Sequence, residues 1–263
     1  MDGERPGPYL CSIFSFIRGN VVFFAIETEN VVGVLESITD VFRDAGMSVL
    51  DGFHSVHDDG KMWCWVLTVD TSKSKKTVDE VVDEIRSLPH VVRVEHGVKK
   101  LGELLFPPFK TSFRFMGDRA FIWRGEFMKD FFRSIRKRWG DVGAVFMYHT
   151  GLGVGRKAAD EYIELLGEQD LKKLLEFNGE LWVSLGWVSE YEANVSEQIV
   201  IRFWDLFECQ GLVGLAKAPS GYFTRGVLAG YINKISGKNV VVREVKCIAK
   251  GDPYCEFVAR FEE

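Results

Sequence analysis

Long apolar runs are missing from this 263-residue chain. None approaches the 18 or so consecutive residues that a membrane-spanning helix requires, so no membrane partner is expected. The opening MDGERPGPYL sets two acids before its first apolar residues, which argues against an export signal. Cysteine is scarce: Cys11, Cys64, Cys209, Cys247 and Cys255 are odd in number and scattered except for the last pair. That is too few for a disulfide scaffold, so a reducing cytoplasm is the expected location. A positive excess is also missing, since 33 Lys and Arg face 38 Asp and Glu for a net charge of −5. Nothing global draws the chain to phosphate backbones or anionic lipid.

Catalytic signatures are absent too. There is no Gly-x-Ser-x-Gly elbow, no His-Glu-x-x-His pair and no Walker loop. The glycines of Gly151-Leu152-Gly153-Val154-Gly155 have the wrong spacing for a dinucleotide loop, and Gly151 and Gly155 read instead as a small face for close helix packing. The cations Arg133, Arg136, Lys137 and Arg138 read as a solvated helix face, and without a helix-turn-helix pattern direct DNA binding is disfavoured. His149 stands alone in the second half of the chain, as a structural side chain or a ligand.

Aromatic residues are abundant: 21 Phe, 7 Trp and 7 Tyr within a composition 46% hydrophobic and 27% charged. Such a chain buries full cores, and its length predicts two domains. Residues 21–28 form a β-branched and aromatic strand pattern, and residues 34–44 carry Leu35, Ile38 and Phe42 at helical spacing before Gly46. Two strands are predicted over 48–57 and 61–70, joined by Asp58-Asp59-Gly60, then a helix over 78–88 and a strand over 91–97. This βαββαβ order is that of a ferredoxin-like fold. Pro107 and Pro108 break the pattern, so the domains are set at 1–100 and 111–263, with a linker at 101–110. In the second domain a strand is expected around 113–123, helices over 125–139, 142–166, 171–177 and 222–235, and strands over 180–191, 197–204, 239–250 and 254–261. The fold class is α+β throughout.

The turn Glu29-Asn30-Val31-Val32-Gly33 after the first strand resembles the corresponding loop of ACT domains, over about residues 20–98. The resemblance implies a regulatory unit binding an amino-acid-type effector at Glu29, Asn30, Val31 and Gly33, usually across a homodimer interface. Valine stands at position 32 where the family has proline, and use for dimerisation alone is the alternative.

At the other end, Glu244, Cys247 and Cys255 flank a Gly251-Asp252-Pro253 turn that folds the two cysteines together. Two thiols and a carboxylate are three of the four ligands zinc favours; two reduced cysteines on facing strands, or a reversible disulfide, are the alternatives. Residues 221–231, then Ile235-Ser236-Gly237-Lys238 and 244–257, resemble the closing half of 4-vinyl reductase domains. That family includes bacterial sensor domains for aromatic hydrocarbons, in which one glutamate and three cysteines hold zinc. The resemblance places structural zinc on Glu244, Cys247 and Cys255; the third family cysteine falls at Gly221, with Cys209 the nearest substitute. It also implies an aromatic-lined ligand pocket, for which Phe146, His149, Trp182, Trp187, Phe203, Trp204 and Tyr222 are the candidates. The expected function is non-enzymatic sensing of a small apolar or aromatic molecule. An enzyme or enzyme subunit of vinyl or tetrapyrrole reduction, and an adaptor without ligand, are the alternatives.

Overall fold

The structure, a computed structural model, describes residues 20–56, 60–102, 104–109, 113–115 and 118–262. It divides into two compact units, Met1–Phe121 and Ile122–Glu263.

The first unit contains β1 (Val21–Glu29), α1 (Val34–Ala45), β2 (Ser48–Val56), β3 (Met62–Asp70), α2 (Val78–Ser87) and β4 (Val91–Gly97). The sheet is antiparallel in the order β2-β3-β1-β4. This is the expected βαββαβ arrangement; of the turn between β2 and β3, Asp58 and Asp59 lie outside the described residues. One face of α1 buries Val34, Ile38 and Phe42, and Phe42 meets Phe24 of β1 edge-on at 5.1 Å. Helix α2 starts where it does because Thr77 and Glu80 cap each other: Thr77 Oγ1 accepts from the Glu80 N–H, and Glu80 Oε2 from the Thr77 N–H at 2.7 Å. Two small hairpins follow, β5 (Lys99–Leu101) with β6 (Leu104–Phe106), and β7 (Phe113–Phe115) with β8 (Asp118–Ala120). Residues 101–110, read as a linker, thus include β6, and the strand read over 113–123 is a short hairpin.

The second unit holds α3 (Gly125–Leu166), α4 (Leu171–Ser184), β9 (Glu190–Val195), β10 (Ile199–Trp204), α5 (Tyr222–Ser236), β11 (Val240–Lys246) and β12 (Cys255–Phe261). Its sheet is antiparallel in the order β11-β12-β10-β9. Helix α3 is two arms joined at Gly140, whose φ of 51° and ψ of −126° break the helical path. Residues 180–184 are the end of α4 and not the start of a strand. Asp170 caps that helix by accepting from the Lys173 N–H, and Leu174, Leu175, Asn178 and Trp182 keep one buried face to its last turn. The Leu181-Trp182-Val183 run suits either element, and the helical face decides it. Likewise β11 ends at Lys246, and Ile248–Lys250 form a 3-10 turn.

Helices α3 and α5 touch backbone to backbone. A Cβ built at Gly151 or Gly155 would fall on the carbonyls of Phe223 or Val227, and one at Gly226 or Gly230 on those of Tyr148 or Leu152. The Gly151 and Gly155 face read from the sequence meets a matching glycine pair on α5.

Candidate metal centre

Alternation along β10 sends Ile199, Ile201 and Phe203 into the core and turns Val200, Arg202 and Trp204 to the other side of the sheet. Just beyond β10, the chain carries Glu208 and Cys209 into the interior, both fully buried. Glu244 points inward from β11, Cys247 follows the end of that strand, and Cys255 opens β12. The ligand atoms of Cys209, Glu244, Cys247 and Cys255 all lie within 4.8 Å of one another. Cys247 Sγ is 3.6 Å from Cys209 Sγ and 4.0 Å from Cys255 Sγ. Among the described residues this is the one group of its kind.

The Gly-Asp-Pro turn holds the cluster's outer wall. Asp252 Oδ2 accepts from the Cys247 N–H at 2.8 Å, and the Asp252 N–H donates to the Cys247 carbonyl at 3.2 Å. Gly251, with φ of 99°, permits the reversal. The inner wall is the N-terminus of α5. Glu244 Oε2 accepts from the Gly221 N–H at 2.6 Å, while Glu208 accepts from the N–H groups of Phe223 and Thr224 at 2.9 and 2.8 Å. Two carboxylates, Glu208 buried and Glu244 half-buried, therefore satisfy free donors that open the helix. Glu208 also meets the Arg136 guanidinium of α3 at 3.2 Å, and that guanidinium lies over the Tyr222 ring.

The electrostatics are those of a proton-sharing cluster. Burial, and next the charge of Cys247, push the Glu244 carboxyl up to about 9. Hydrogen bonding to Cys209, and then to Cys255, holds the Cys247 thiol far below its ordinary value, and hydrogen bonding within the same trio raises Cys209. Burial thus favours the protonated Glu244 carboxyl while the neighbouring thiols favour ionised Cys247, and a metal ion held by this set would displace the carboxyl proton.

Gly221 occupies the position where the family resemblance places a cysteine. A Cβ built there lies 3.1 Å from both Glu244 carboxylate oxygens and 2.9 Å from Phe257 Cζ. A side chain at 221 would thus enter the same cluster that Cys209 enters from the end of β10.

The seven aromatic candidates separate. Trp182, Trp187 and Phe203 come together, with Trp182 stacked on Phe203 at 5.2 Å and both tryptophans close to Phe207. Tyr222 packs at the edge of this wall with Phe132, Phe207 and Phe223. Trp204 lies on the opposite face of the sheet against Tyr254 at 5.1 Å, and Phe146 and His149 are exposed on α3. Arg136, read from the sequence as part of a solvated helix face, is instead drawn inward, only 12% exposed, by the buried Glu208 carboxylate. The sequence did not single out Phe207, nor Glu208, for which a lone acid inside the Leu206–Cys209 stretch was the available signal.

In the first unit, Glu29, Asn30, Val31 and Gly33 line one recess of about 250 Å³ together with Leu35 and Trp63. Gly33, with φ of 92°, precedes α1 without a side-chain cap. Asn30 is tied to the β2–β3 turn by its bond to the Gly60 carbonyl, and Glu29 Oε2 meets His90 Nδ1 at 2.6 Å. Among the described residues no helix is long and apolar enough to cross a membrane.

Residues 199–261, from β10 to β12, match the 4-vinyl reductase domain. An uncharacterised protein of Methanocaldococcus jannaschii, MJ1642, is 30% identical over 129 residues, which are 49% of this chain and 71% of that protein. A second from the same organism, MJ0150, is 28% identical over 119 residues, 44% of this chain and 64% of the relative, slightly under two thirds of its length. Among solved structures, the phenol-responsive sensory domain of the transcription activator PoxR with phenol superposes with a TM-score of 0.49 at 18% identity, over 56% of this chain and 79% of that one.

Proposed function

We propose that this chain, whose residues 199–261 match the 4-vinyl reductase domain, is a regulatory ligand-sensing protein and not an enzyme, whose second unit takes up a small apolar or aromatic molecule beside a structural zinc ion. The observation that carries this reading is the enclosed cluster of three thiols and one carboxylate. Sulfur ligands on a tetrahedron of bonds of about 2.3 Å stand about 3.8 Å apart. The separations of 3.6 and 4.0 Å bracket that value and are far from the roughly 2.0 Å of a disulfide. Zinc would supply a fixed link between the β11–β12 hairpin and the chain after β10. All four positions of that link are filled by protein, so the role is structural rather than catalytic.

Trp182, Trp187, Phe203 and Phe207 form the proposed ligand wall, with Tyr222 at its edge. Their rings desolvate an apolar guest, and Tyr222 begins the helix whose N-terminus Glu208 and Glu244 hold. A guest that favours one placement of α5 over another shifts the protein by that difference in affinity alone. In the first unit, the uncapped start of α1 suits the carboxylate of an amino-acid-type effector, held among Glu29, Asn30, Val31 and Gly33.

Two outcomes test the reading. Titration with phenol and other monocyclic aromatics is expected to quench tryptophan fluorescence saturably, and Trp182→Ala to weaken binding at least about tenfold; a panel without any saturable response contradicts it. Zinc uptake near pH 7 is expected to release about three protons, from Cys209, Cys255 and the Glu244–Cys247 pair, so that affinity rises steeply with pH. Calorimetry in buffers of different ionisation enthalpy counts them, and pH-independent affinity would overturn the assignment.

A further inference from the structure

We propose that the exposed face of α3 on either side of Gly140 is where a second copy of this chain docks. Phe127, Phe131, Trp139, Val142, Val145 and Phe146 are all exposed there, Val142 at 74% and Phe146 at 59%. In the second arm, Val142, Val145, Phe146 and His149 recur at intervals of three and four, forming one stripe of helix surface. The break at Gly140 brings Ile135 against Gly143, and the two arms enclose a groove of about 1040 Å³ whose lining includes Phe131, Ile135, Trp139 and Val142.

Size favours a protein partner. With roughly 150–250 Å² available per aromatic side chain, the exposed parts of Phe127, Phe131, Trp139 and Phe146 alone leave about 430 Å² of apolar surface facing water, to which Val142 and Val145 add. Patches beyond a few hundred Å² mark interaction sites, and a stable interface takes about 800 Å² from each partner. The stripe also runs past the groove to Phe127 and Val145, farther than a small guest would cover.

Charge indicates a second copy in particular. Lys129 is held by Glu126, Arg133 by Asp130 and Arg136 by Glu208. Among the described residues, Lys137, Arg138 and Asp141 have no ion-pair partner, and of these Arg138 and Asp141 are the pair of opposite sign three positions apart that brackets Trp139 and Gly140. In an isologous contact each residue pair is exchanged by the twofold axis. An axis passing between Trp139 and Gly140 sets Arg138 of each copy against Asp141 of the other and lays the two apolar stripes together. This goes beyond the sensing role above, and needs neither the metal nor the aromatic ligand.

Sedimentation velocity on the full chain is the test. A dimer is expected at micromolar concentration. Val142→Asp should raise its dissociation constant at least about tenfold, as loss of a buried interface anchor does, with an unchanged circular dichroism spectrum. Arg138→Asp and Asp141→Arg should each weaken the dimer, and the double variant should recover it. A monomeric chain, with or without an amphiphile co-purified in the groove, overturns the proposal. So does a dimer that V142D leaves at wild-type affinity, or a double variant no tighter than the singles.

Discussion

Gly155→Ala and Gly226→Ala are each expected to destabilise the protein by about 3 kcal/mol or more, against the sign that helix propensity alone predicts. Alanine in place of a helical glycine normally gains about 0.5–1 kcal/mol. Here the added methyl falls on a main-chain carbonyl of the facing helix, Val227 for Gly155 and Tyr148 for Gly226. Backbone cannot rotate aside as a flexible side chain does, so the whole helix pair must separate and the packing along α3 and α5 loosens. Gly153 provides the control. It lies on the same helix, exposed, with nothing within 4 Å of the point where a methyl would stand, and Gly153→Ala should follow propensity and stabilise slightly. Denaturant unfolding of the three variants measures the contrast. Equal effects at 153 and 155 would show that the helices are not in backbone contact.

The second large effect concerns Cys209, the proposed fourth zinc ligand. Cys209→Ser is expected to lose zinc and, with it, several kcal/mol of stability, since the free energy of filling such a site is folding free energy. Adding Gly221→Cys to that variant should restore both. A Cβ at position 221 would stand 3.1 Å from each Glu244 oxygen, so a sulfur there enters the cluster from the side opposite the hairpin. Metal content and melting temperature of the single and double variants report the exchange. A Cys209→Ser protein that keeps wild-type zinc would remove Cys209 from the centre. Failure of the double variant would show that Phe257, whose Cζ lies 2.9 Å from the same point, leaves no room for the sulfur.

That exchange marks where the sequence was informative and where it was not. The turn Gly251-Asp252-Pro253 announced the approach of Cys247 and Cys255, because a tight reversal is a local event. The arrival of Cys209 depends on how the chain leaves β10 and meets the start of α5, a tertiary relation that spacing does not encode. Strand β4 and the glycine-flanked ends of α1 were legible for the same local reasons: a regular apolar pattern and a glycine able to adopt positive φ. Phe203 and Trp204 show the limit from another side. Adjacent residues on a strand face opposite ways, so only one of the two can belong to the inner wall, and sequence parity alone did not say which side the helices would cover. Phe146 and His149 were selected for chemical type, yet the helical face that packs on α5 is the glycine face, which turns both side chains to solvent. Residues 180–184 went to α4 because a buried stripe begun at Leu174 outweighed a three-residue apolar run.

Zinc analysis of the intact protein, purified without chelators and weighed by native mass spectrometry, tests the central claim most directly. One zinc per chain, lost in Cys255→Ser, is the predicted result. A metal-free chain that takes up no added zinc and keeps the thiols of Cys209, Cys247 and Cys255 free would contradict it.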